Sequence, residues 1–294
     1  MFSLTDYLNQ QRRVLESALD QHMPPDTEQP AILHRAMRYC VFSEGKRIRP
    51  VLCLAAAHAI DPDCESALLP AIAIEALHTY TLVHDDLPAM DDDYLRRGRP
   101  TAHIEFGEAN AILVGDALLT LAFEWLGQIP APAPYAPGQL IVELAEAAGS
   151  RGVIGGQVED LGASSGHASV ELLDYIHLHK TAALLRASVR IGAIAAGANT
   201  AELDAFSNYG CDLGLAFQIT DDILDATGNT ETIGKPAGSD EKNNKLTYVA
   251  LHGVDASRKR AADLIDKALA ALDDIAGYTE PLEAIARNIL DRSH

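Results

Sequence analysis

Apolar residues recur at helical spacing along nearly the whole chain, and this pattern limits the possible folds more than any other feature. Between residues 170 and 195, for example, Leu172, Ile176, Ala183 and Ala187 stand four or seven positions apart, which places them on one face of a helix. There is no sustained alternation of β-branched residues and no Asn-Gly hairpin signal. The sequence therefore predicts an all-α fold, with further helices at 30–42, 48–60, 66–86, 108–127, 138–150, 199–226, 255–274 and 280–292.

The predicted helices are separated by breaks at 21–30, 128–138, 161–169 and 226–245. The proline-rich break at 128–138 is the best candidate for an interdomain linker. It is short, however, and helices of similar character flank it, so we interpret it as a surface loop. No repeat of 20 to 50 residues stands out. Residues 1–294 are therefore expected to form a single domain.

The charge balance restricts the partners of the chain. Asp and Glu total 42 against 23 Lys and Arg, which gives a net charge of −19. A field of that sign repels nucleic acid and anionic membrane surfaces, and an anionic substrate would need local basic groups or bridging metal ions.

Signals for targeting and for oxidation are missing from the sequence. The N-terminus has no signal-peptide pattern, and no uninterrupted apolar run is long enough to span a membrane. The four cysteines have neither CxxC nor metal-ligand spacing and are typical of buried thiols in a reducing compartment. We expect a cytoplasmic protein without stable membrane insertion and without a nucleic-acid partner.

The first acidic cluster, HDDLPAMDDD at 84–93, follows an apolar helical segment. Pro88 cannot continue that helix, so Asp85 and Asp86 are placed in or near its final turn. Acidic side chains there are disfavoured by about 0.3 to 1 kcal/mol each, because the helix dipole is negative at that end. Beyond the proline the chain can turn so that Asp91 points back toward Asp85, whereas a straight helix would hold the two about 120° apart.

The second acidic cluster is Asp221-Asp222-Ile-Leu-Asp225, preceded by the apolar segment LGLAFQIT. Asp221 and Asp225 are four positions apart and share one helix face, where like charges repel. A bound divalent cation would relieve the repulsion at both clusters, and hard oxygen ligands without His or Cys favour Mg²⁺ or Mn²⁺ over zinc. The competing interpretation is two solvated acidic patches on a very acidic protein. The predicted metal ligands are Asp85, Asp86, Asp91, Asp221, Asp222 and Asp225.

Basic residues are few, and several concentrate near these clusters. They lie in GKRIRP at 45–50 and in RRGR at 96–99, at Lys180 inside a helix, and at Lys235 and Lys245 after the second acidic cluster. Arginine suits phosphate because its planar fork donates two parallel hydrogen bonds. The combination indicates a diphosphate substrate, although any single arginine could instead form a surface salt bridge. No P-loop and no GxGxxG motif is present, and Gly155-Gly156 is typical of close helix packing.

Together these residues resemble the trans-isoprenyl diphosphate synthases, in particular the short-chain bacterial farnesyl and geranylgeranyl diphosphate synthases. The resemblance runs from about residue 30 to the C-terminus. It implies long antiparallel helices around a deep central cavity, usually in a homodimer. Its landmarks are GKRIRP, HTYTLVHDDLPAMDDDYLRRGRPTAH at 78–103, GGQVEDL at 155–161, HKTAAL at 179–184, FQITDDILD at 217–225 and GKPAGSD at 234–240.

The resemblance also implies roles for individual residues. Asp85 and Asp91 would bind Mg²⁺ from one wall, assisted by Asp86, and the second acidic cluster would do so from the other, led by Asp221. Isopentenyl diphosphate would be held by Lys46, Arg49, His78 and Arg97, with Arg292 in a tail that closes over them. The allylic diphosphate would be held by Arg96, Lys180, Thr181, Gln218, Lys235 and Lys245. Catalysis would involve Lys180, Thr181 and Gln218, which would stabilise the allylic cation.

The implied reaction joins isopentenyl diphosphate to an allylic diphosphate. Ionisation of the allylic C–O bond puts negative charge on the departing diphosphate, which basic groups and metal ions stabilise. The allylic carbon becomes positive and needs an apolar pocket without water. The family places an aromatic residue five positions before the first aspartate in farnesyl synthases, and Tyr80 stands there beside the small Thr81. This favours farnesyl diphosphate as product, although Tyr80 could equally be a half-buried core residue.

Other interpretations stay open at this stage. The product could be geranylgeranyl or geranyl diphosphate. A terpene cyclase also ionises allylic diphosphates, but it would not need the second basic group. A non-catalytic partner subunit of another synthase would be expected to lack one acidic cluster, and a metal-buffering helical protein would not need the basic residues.

Overall fold

The computed structural model describes residues 2–163, 169–227 and 246–291 and is all-α within them. A two-residue antiparallel pair, β1 (Leu95–Arg96) with β2 (Arg99–Pro100), is the one sheet in these ranges. The helices are α1 (Leu4–His22), α2 (Ala31–Val41), α3 (Ile48–Ile60), α4 (Leu68–Asp85), α5 (Ala102–Phe106), α6 (Glu108–Leu126), α7 (Gln139–Ala148), α8 (Val153–Ala163), α9 (Val170–Ile176), α10 (Ala183–Ala195), α11 (Thr200–Thr227), α12 (Tyr248–His252), α13 (Val254–Ala271) and α14 (Glu280–Asp291).

Helices α4, α10 and α11 form the centre of the molecule, because they are apolar on more than one face. Helix α4 packs against α3 and α6, α10 packs against α3 and α11, and α11 packs against α13. Their buried side chains belong to one contiguous hydrophobic cluster that also takes in residues of α1 and α14. A helix that is apolar nearly all round is stable only when neighbours cover it, which is why these three lie innermost. The prediction of an all-α fold is confirmed.

Two helical segments, Glu65–Asp85 and Glu108–Leu126, are long and apolar enough to span a membrane by length and composition. The first is largely enclosed by other helices, with 67% of its apolar window buried, and the second is 44% buried. Core helices of soluble proteins pass the same test, so this is weak evidence for insertion. Polar residues interrupt both segments, for example Glu75 and Asp116, so neither is the uninterrupted apolar run that the sequence was expected to lack.

Helix α9 continues into α10 through a π-helical segment, His177–Ala182. A π-helical turn carries an extra residue in the hydrogen-bonded ring and often marks a functional site. Gly156 of α8 lies against it, and a Cβ there would stand 2.3 Å from the backbone nitrogen of Lys180. This confirms the interpretation that the glycine pair permits close helix packing, and it shows which segment is approached.

Candidate active site

A cleft of about 1010 Å³ opens between the N-terminal helices, α4 and α11. All four residues predicted to hold isopentenyl diphosphate line it, together with one residue from the π-helical segment and three from α11. The lining residues of interest are Lys46, Arg49, His78, Arg97, Thr181, Phe217, Gln218 and Asp221. The fold therefore brings together residues that lie up to 175 positions apart in the sequence.

We use the name basic cluster for Lys46, Arg49, His78 and Arg97. Arg49 Nη1 lies 3.4 Å from His78 Nε2. Burial lowers the pKa of Arg49 to about 10, so the guanidinium stays charged near neutral pH. Burial, followed by the charge of Arg49, holds the pKa of His78 well below its ordinary value, so the imidazole stays neutral. The cluster therefore presents fixed positive charge beside a neutral hydrogen-bonding ring.

We use the name acidic cluster for Asp85, Asp86, Asp91 and Asp93, at the end of α4 and in the loop after it. The turn beyond the proline is present, because the backbone nitrogen of Asp91 donates to the carbonyl of Asp85 at 2.8 Å. Burial raises the pKa of Asp85 to about 6; Lys180 opposes the rise, and Asp91 and Asp86 add to it. A carboxylate crowded by other carboxylates in a buried position is a group that a bound cation would stabilise.

Arg96 lies against the acidic cluster. Its Nε donates to both carboxylate oxygens of Asp86, at 2.6 and 2.8 Å, and its Nη2 reaches Asp93 at 3.3 Å. Burial works to lower the pKa of Arg96, but the hydrogen bond and the charge of Asp86 outweigh it, and the pKa is raised. Asp86 is itself buried. This contact fixes the direction of the one arginine predicted for the allylic diphosphate.

The aspartates of α11 have different surroundings. Asp221 lines the cleft, whereas Asp222 is 3% exposed and accepts hydrogen bonds from Gln218 Nε2 at 3.0 Å and from the backbone nitrogen of Tyr248 at 2.9 Å. The Nε2 of His177 lies 3.6 Å from the same carboxylate. Asp225, one turn further on, is half-buried.

The three predicted catalytic residues lie together. Thr181 Oγ1 donates to Gln218 Oε1 at 2.8 Å, and both residues border the cleft. Lys180 Nζ pairs with Asp160 of α8 at 2.5 Å. A smaller cavity of about 90 Å³ lies behind them, also bordered by Asp222 and Leu246. Because Lys180 lowers the pKa of Asp85 as well, its charge acts at the end of α4, across from α11.

Tyr80 and Thr81 occupy different faces of α4. Tyr80 is 6% exposed, and its ring meets the ring of His84 edge-on at 5.4 Å. Next to it, Gly115 of α6 has no room for a Cβ, which would stand 2.0 Å from His84 Nε2. Thr81 is half-buried and donates to the carbonyl of His78 at 2.8 Å. Tyr80 therefore lies at the contact between α4 and α6.

No three His, Cys, Asp or Glu side chains of the described ranges converge as a ready-made metal site. The acidic groups instead come from two elements, the C-terminal end of α4 with the loop after it and the C-terminal part of α11. Their chemistry fits Mg²⁺, because all the donors are carboxylate oxygens and Asp85 has a raised pKa beside like charges. Lys235, Lys245 and Arg292 lie outside the residues that the structure describes.

Sequence reasoning missed four residues that take part in this arrangement. Arg47 and Glu75 form an ion pair beneath the basic cluster, Asp160 pairs with Lys180, and His177 lies beside Asp222. The only available signals were Arg47 in the GKRIRP motif and Asp160 in GGQVEDL. Pairing across 20 or more positions depends on how the helices pack, and periodicity gives no information about it.

The fold and the cleft define a helical protein that places a basic cluster beside acidic helix ends from two elements. The sequence profile of the polyprenyl synthetase family matches residues 30–280. The farnesyl diphosphate synthase of Escherichia coli is 45% identical, with 94% of each chain covered. Geranylgeranyl pyrophosphate synthase 7, chloroplastic, of Arabidopsis thaliana is 41% identical, covering 100% of this chain and 85% of the relative.

Solved structures agree with the sequence comparisons. The crystal structure of an FPP/GFPP synthase from Zymomonas mobilis has a TM-score of 0.86 and 35% identity, covering 98% of both chains. A geranylgeranyl pyrophosphate synthetase from Pyrococcus horikoshii has a TM-score of 0.90 and 29% identity. The chain belongs to the polyprenyl synthetase family.

Proposed function

We propose that this chain is a prenyltransferase that condenses isopentenyl diphosphate head-to-tail with dimethylallyl and then geranyl diphosphate, giving (E,E)-farnesyl diphosphate and diphosphate. The observation that carries the proposal is the basic cluster in the same cleft as Asp221, Thr181 and Gln218. One diphosphate needs only the basic residues, whereas a second needs the acidic groups and a cation. The relatives named farnesyl diphosphate synthase, at 45% identity in two bacteria, support this product.

The basic cluster is the proposed site of isopentenyl diphosphate. Lys46, Arg49 and Arg97 would neutralise the diphosphate, and neutral His78 would orient Arg49 and offer a hydrogen bond. All of them border the cleft. No metal ligand stands among them, so this diphosphate would be held by side chains alone.

The acidic groups are the proposed site of Mg²⁺ and, through it, of the allylic diphosphate. Members of the family are Mg²⁺-dependent prenyltransferases. The proposed ligands are Asp85 and Asp91 on one side and Asp221 and Asp225 on the other, with Asp86 and Asp222 assisting. In the structure Asp86 orients Arg96, and Asp222 accepts from Gln218. When bound, Mg²⁺ supplies positive charge against the leaving diphosphate.

The side chains around the π-helical segment would guide ionisation. The C–O bond of the allylic substrate breaks and its electron pair leaves with the diphosphate, which Arg96 and Lys180 neutralise. The carbonyl of Thr181 and the amide of Gln218 would face the allylic cation. The isopentenyl double bond then forms the new C–C bond, and a proton passes to the released diphosphate. Lys235 and Lys245 remain predicted contacts of the allylic diphosphate.

Tyr80 is the proposed limit on chain length. Its ring is held by His84 at the contact of α4 with α6, so a growing chain that runs along α4 would meet it. Geranylgeranyl diphosphate is the second candidate product, because a relative named for that product is 41% identical over the whole chain. A non-catalytic partner subunit is disfavoured, because both acidic motifs are intact.

The remaining proposals concern the assembly. The contiguous core supports one domain, and we place the protein in the cytoplasm.

We also propose a homodimer. Helix α8 leaves Ile154, Val158 and Leu161 exposed along one stripe, which a second copy would cover. Sedimentation velocity on Val158→Glu tests this: a shift from dimer to monomer supports it, and a monomeric wild type contradicts it.

The direct test of function is incubation of the purified protein with Mg²⁺, labelled isopentenyl diphosphate and dimethylallyl diphosphate, with products separated by chain length. A dominant fifteen-carbon product supports the proposal. A twenty-carbon product keeps the reaction class and removes Tyr80 as the limit. No incorporation of isopentenyl diphosphate by folded protein, in the presence of Mg²⁺, contradicts the proposed reaction.

A further inference from the structure

The turn that carries Lys46 and Arg47 adopts an unfavourable backbone conformation. Residues 42–47 connect α2 to α3, and Arg47, at the start of α3, has φ 51° and ψ 34°. This is the left-handed region, which side chains other than glycine rarely adopt without support from their surroundings. The side chain of Arg47 is also turned inward and is 1% exposed. A strained backbone and a buried charge at one residue both require compensation.

The compensation comes from one guanidinium group. Arg47 Nη1 donates to Glu75 Oε1 at 2.6 Å, and Glu75 is itself 3% exposed on α4. Arg47 Nη2 donates to the carbonyls of Val41 at 2.6 Å and Ser43 at 3.0 Å. A single side chain thereby ties the end of α2, the turn and α4 together. A buried ion pair adds little net stability, because desolvation offsets its attraction. The main consequence of this pair is therefore where it holds the turn.

Glu75 also serves the neighbouring arginines. Burial lowers the pKa of Arg49 and of Arg97, and in both cases the charge of Glu75 is the largest opposing influence. Glu75 precedes His78 by three positions on α4, which puts both on one helix face. The carboxylate is therefore a shared counter-charge beneath the basic cluster.

The same turn supports Arg97 from the other side. Arg97 also has a left-handed backbone, with φ 53°, and its Nη1 donates to Ser43 Oγ at 3.3 Å. A Cβ on Gly45 would lie 2.5 Å from that Nη1, so the guanidinium passes through space that only glycine leaves open. Ser43 thus links Arg97 to Arg47, since its carbonyl accepts from Arg47.

We propose that Arg47 and Glu75 are positioning residues of the basic cluster. They hold the turn so that Lys46, Arg49 and Arg97 converge on one diphosphate. Arg47 and Glu75 border the cleft, but their side chains are only 1% and 3% exposed, and both Nη atoms of Arg47 donate to protein acceptors. The pair therefore acts through its neighbours. This inference rests on the proposed function, because it assigns the cluster to isopentenyl diphosphate.

The test is calorimetric binding of isopentenyl diphosphate, without Mg²⁺ and without allylic substrate, to variants of the pair. Arg47→Lys keeps the charge and can reach Glu75, but it cannot also bridge two carbonyls. We expect its Kd to rise about tenfold, with a melting temperature that falls less than in Arg47→Met, because the charge of Glu75 stays paired. The double variant Arg47→Met with Glu75→Leu removes both buried charges together and should recover stability lost by Arg47→Met alone, because neither charge is left unpaired. Its Kd should stay raised.

A matched control is the pair of Arg190 with Glu143, which joins α10 to α7 away from the cleft. Arg190→Met with Glu143→Leu should leave the Kd for isopentenyl diphosphate unchanged. Steady-state kinetics of Arg47→Lys should show a raised KM for isopentenyl diphosphate and an allylic KM within about twofold of wild type.

The outcomes separate this inference from the proposed function. Wild-type Kd in Arg47→Lys, or a Kd that recovers together with stability in the double variant, overturns the positioning role. If the wild-type protein binds isopentenyl diphosphate but does not turn it over, the proposed reaction is contradicted and the positioning role stays intact. Absence of isopentenyl diphosphate binding by the wild type overturns both.

Discussion

The basic and acidic clusters each lie against one residue of the opposite sign. Glu75 lies under the arginines of the basic cluster, and Arg96 lies against the carboxylates of the acidic cluster. The counter-charge in each case reduces repulsion without cancelling the net sign. The basic cluster keeps an excess of positive charge and would accept an anion directly, as proposed above, whereas the acidic cluster keeps an excess of negative charge and would need a cation to bind one.

The two clusters also differ in how they are assembled. The acidic cluster comes from one stretch, 85–93, in which the end of α4 and the following loop place every group. The basic cluster combines Lys46 from the turn before α3, Arg49 from the first turn of α3, His78 from α4 and Arg97. A cluster from one stretch keeps its geometry when helices shift relative to one another. A cluster assembled from several elements loses its geometry when they shift. Substitutions should therefore affect the two clusters through different causes.

The largest expected effect is at the acidic cluster. Asp85→Asn removes a carboxylate of the proposed cation site and should lower kcat by about 10² to 10³-fold, the range seen when one preorganised electrostatic group is lost. Quenched-flow or steady-state assays of isopentenyl incorporation measure it.

Asp92→Asn is the matched control for that substitution. Asp92 is exposed in the same loop at φ 53°, a conformation that asparagine tolerates. The kcat of Asp92→Asn should stay within about twofold of wild type. Equal losses in both variants would show that the loop needs overall negative charge and would remove the special role of Asp85.

The next effect in size is at the basic cluster. Arg49→Gln removes a charged hydrogen-bond donor worth about 2 kcal/mol, or roughly 30-fold in affinity, and should raise the KM for isopentenyl diphosphate by that factor. Arg99→Gln is the control, because Arg99 lies 4.0 Å above the ring of Tyr39 and does not line the cleft. If Arg49→Gln raised the KM for the allylic substrate and not for isopentenyl diphosphate, the assignment of the two clusters would be reversed.

A smaller effect on rate, but a change of product, is expected at Tyr80. Tyr80→Ala removes the ring at the contact of α4 with α6 and should shift the main product from fifteen to twenty carbons, as resolved by chromatography. Tyr80→Phe keeps the ring and should keep the fifteen-carbon product. An unchanged product distribution in Tyr80→Ala would place the limit on chain length elsewhere.

The smallest expected effect concerns pH: the contribution of His78 to the KM for isopentenyl diphosphate should not change with pH near neutrality. Burial and then Arg49 hold the pKa of His78 well below its ordinary value. Its neutral form is therefore favoured in the folded protein, and the associated stability is lost only as pH falls below the ordinary value of about 6.5. The ratio of KM for isopentenyl diphosphate between His78→Asn and wild type should stay constant from pH 6.5 to 8. A ratio that changes with a midpoint near 7 would mean that His78 binds as a cation.

The predictable part of the fold was the part with strong helical periodicity. The boundaries of α3 and α4 agree with expectation to within about two residues. Helix α1 was not predicted, because its inward face includes the polar Gln11 and its apolar signal is weak. Helix α8 was not predicted either, because it contains a glycine pair that costs about 1 kcal/mol per residue relative to alanine.

The candidate site was predictable where one motif carries the whole arrangement. The turn that returns Asp91 to Asp85 follows from the position of Pro88. The pairing of Arg47 with Glu75 joins residues 28 positions apart and depends on the approach of two elements. The π-helical segment that places Lys180 and Thr181 depends in the same way on packing against α8 and α11.

If the two clusters bind different diphosphates by different means, titration of each ligand with and without Mg²⁺ will separate them. Isopentenyl diphosphate should bind in the presence of a chelator with the same Kd as in Mg²⁺. A non-ionisable analogue of the allylic diphosphate should bind only with Mg²⁺, and Asp85→Asn should weaken that binding alone. Equal dependence of both ligands on Mg²⁺ would show that the two clusters do not bind their diphosphates by different means.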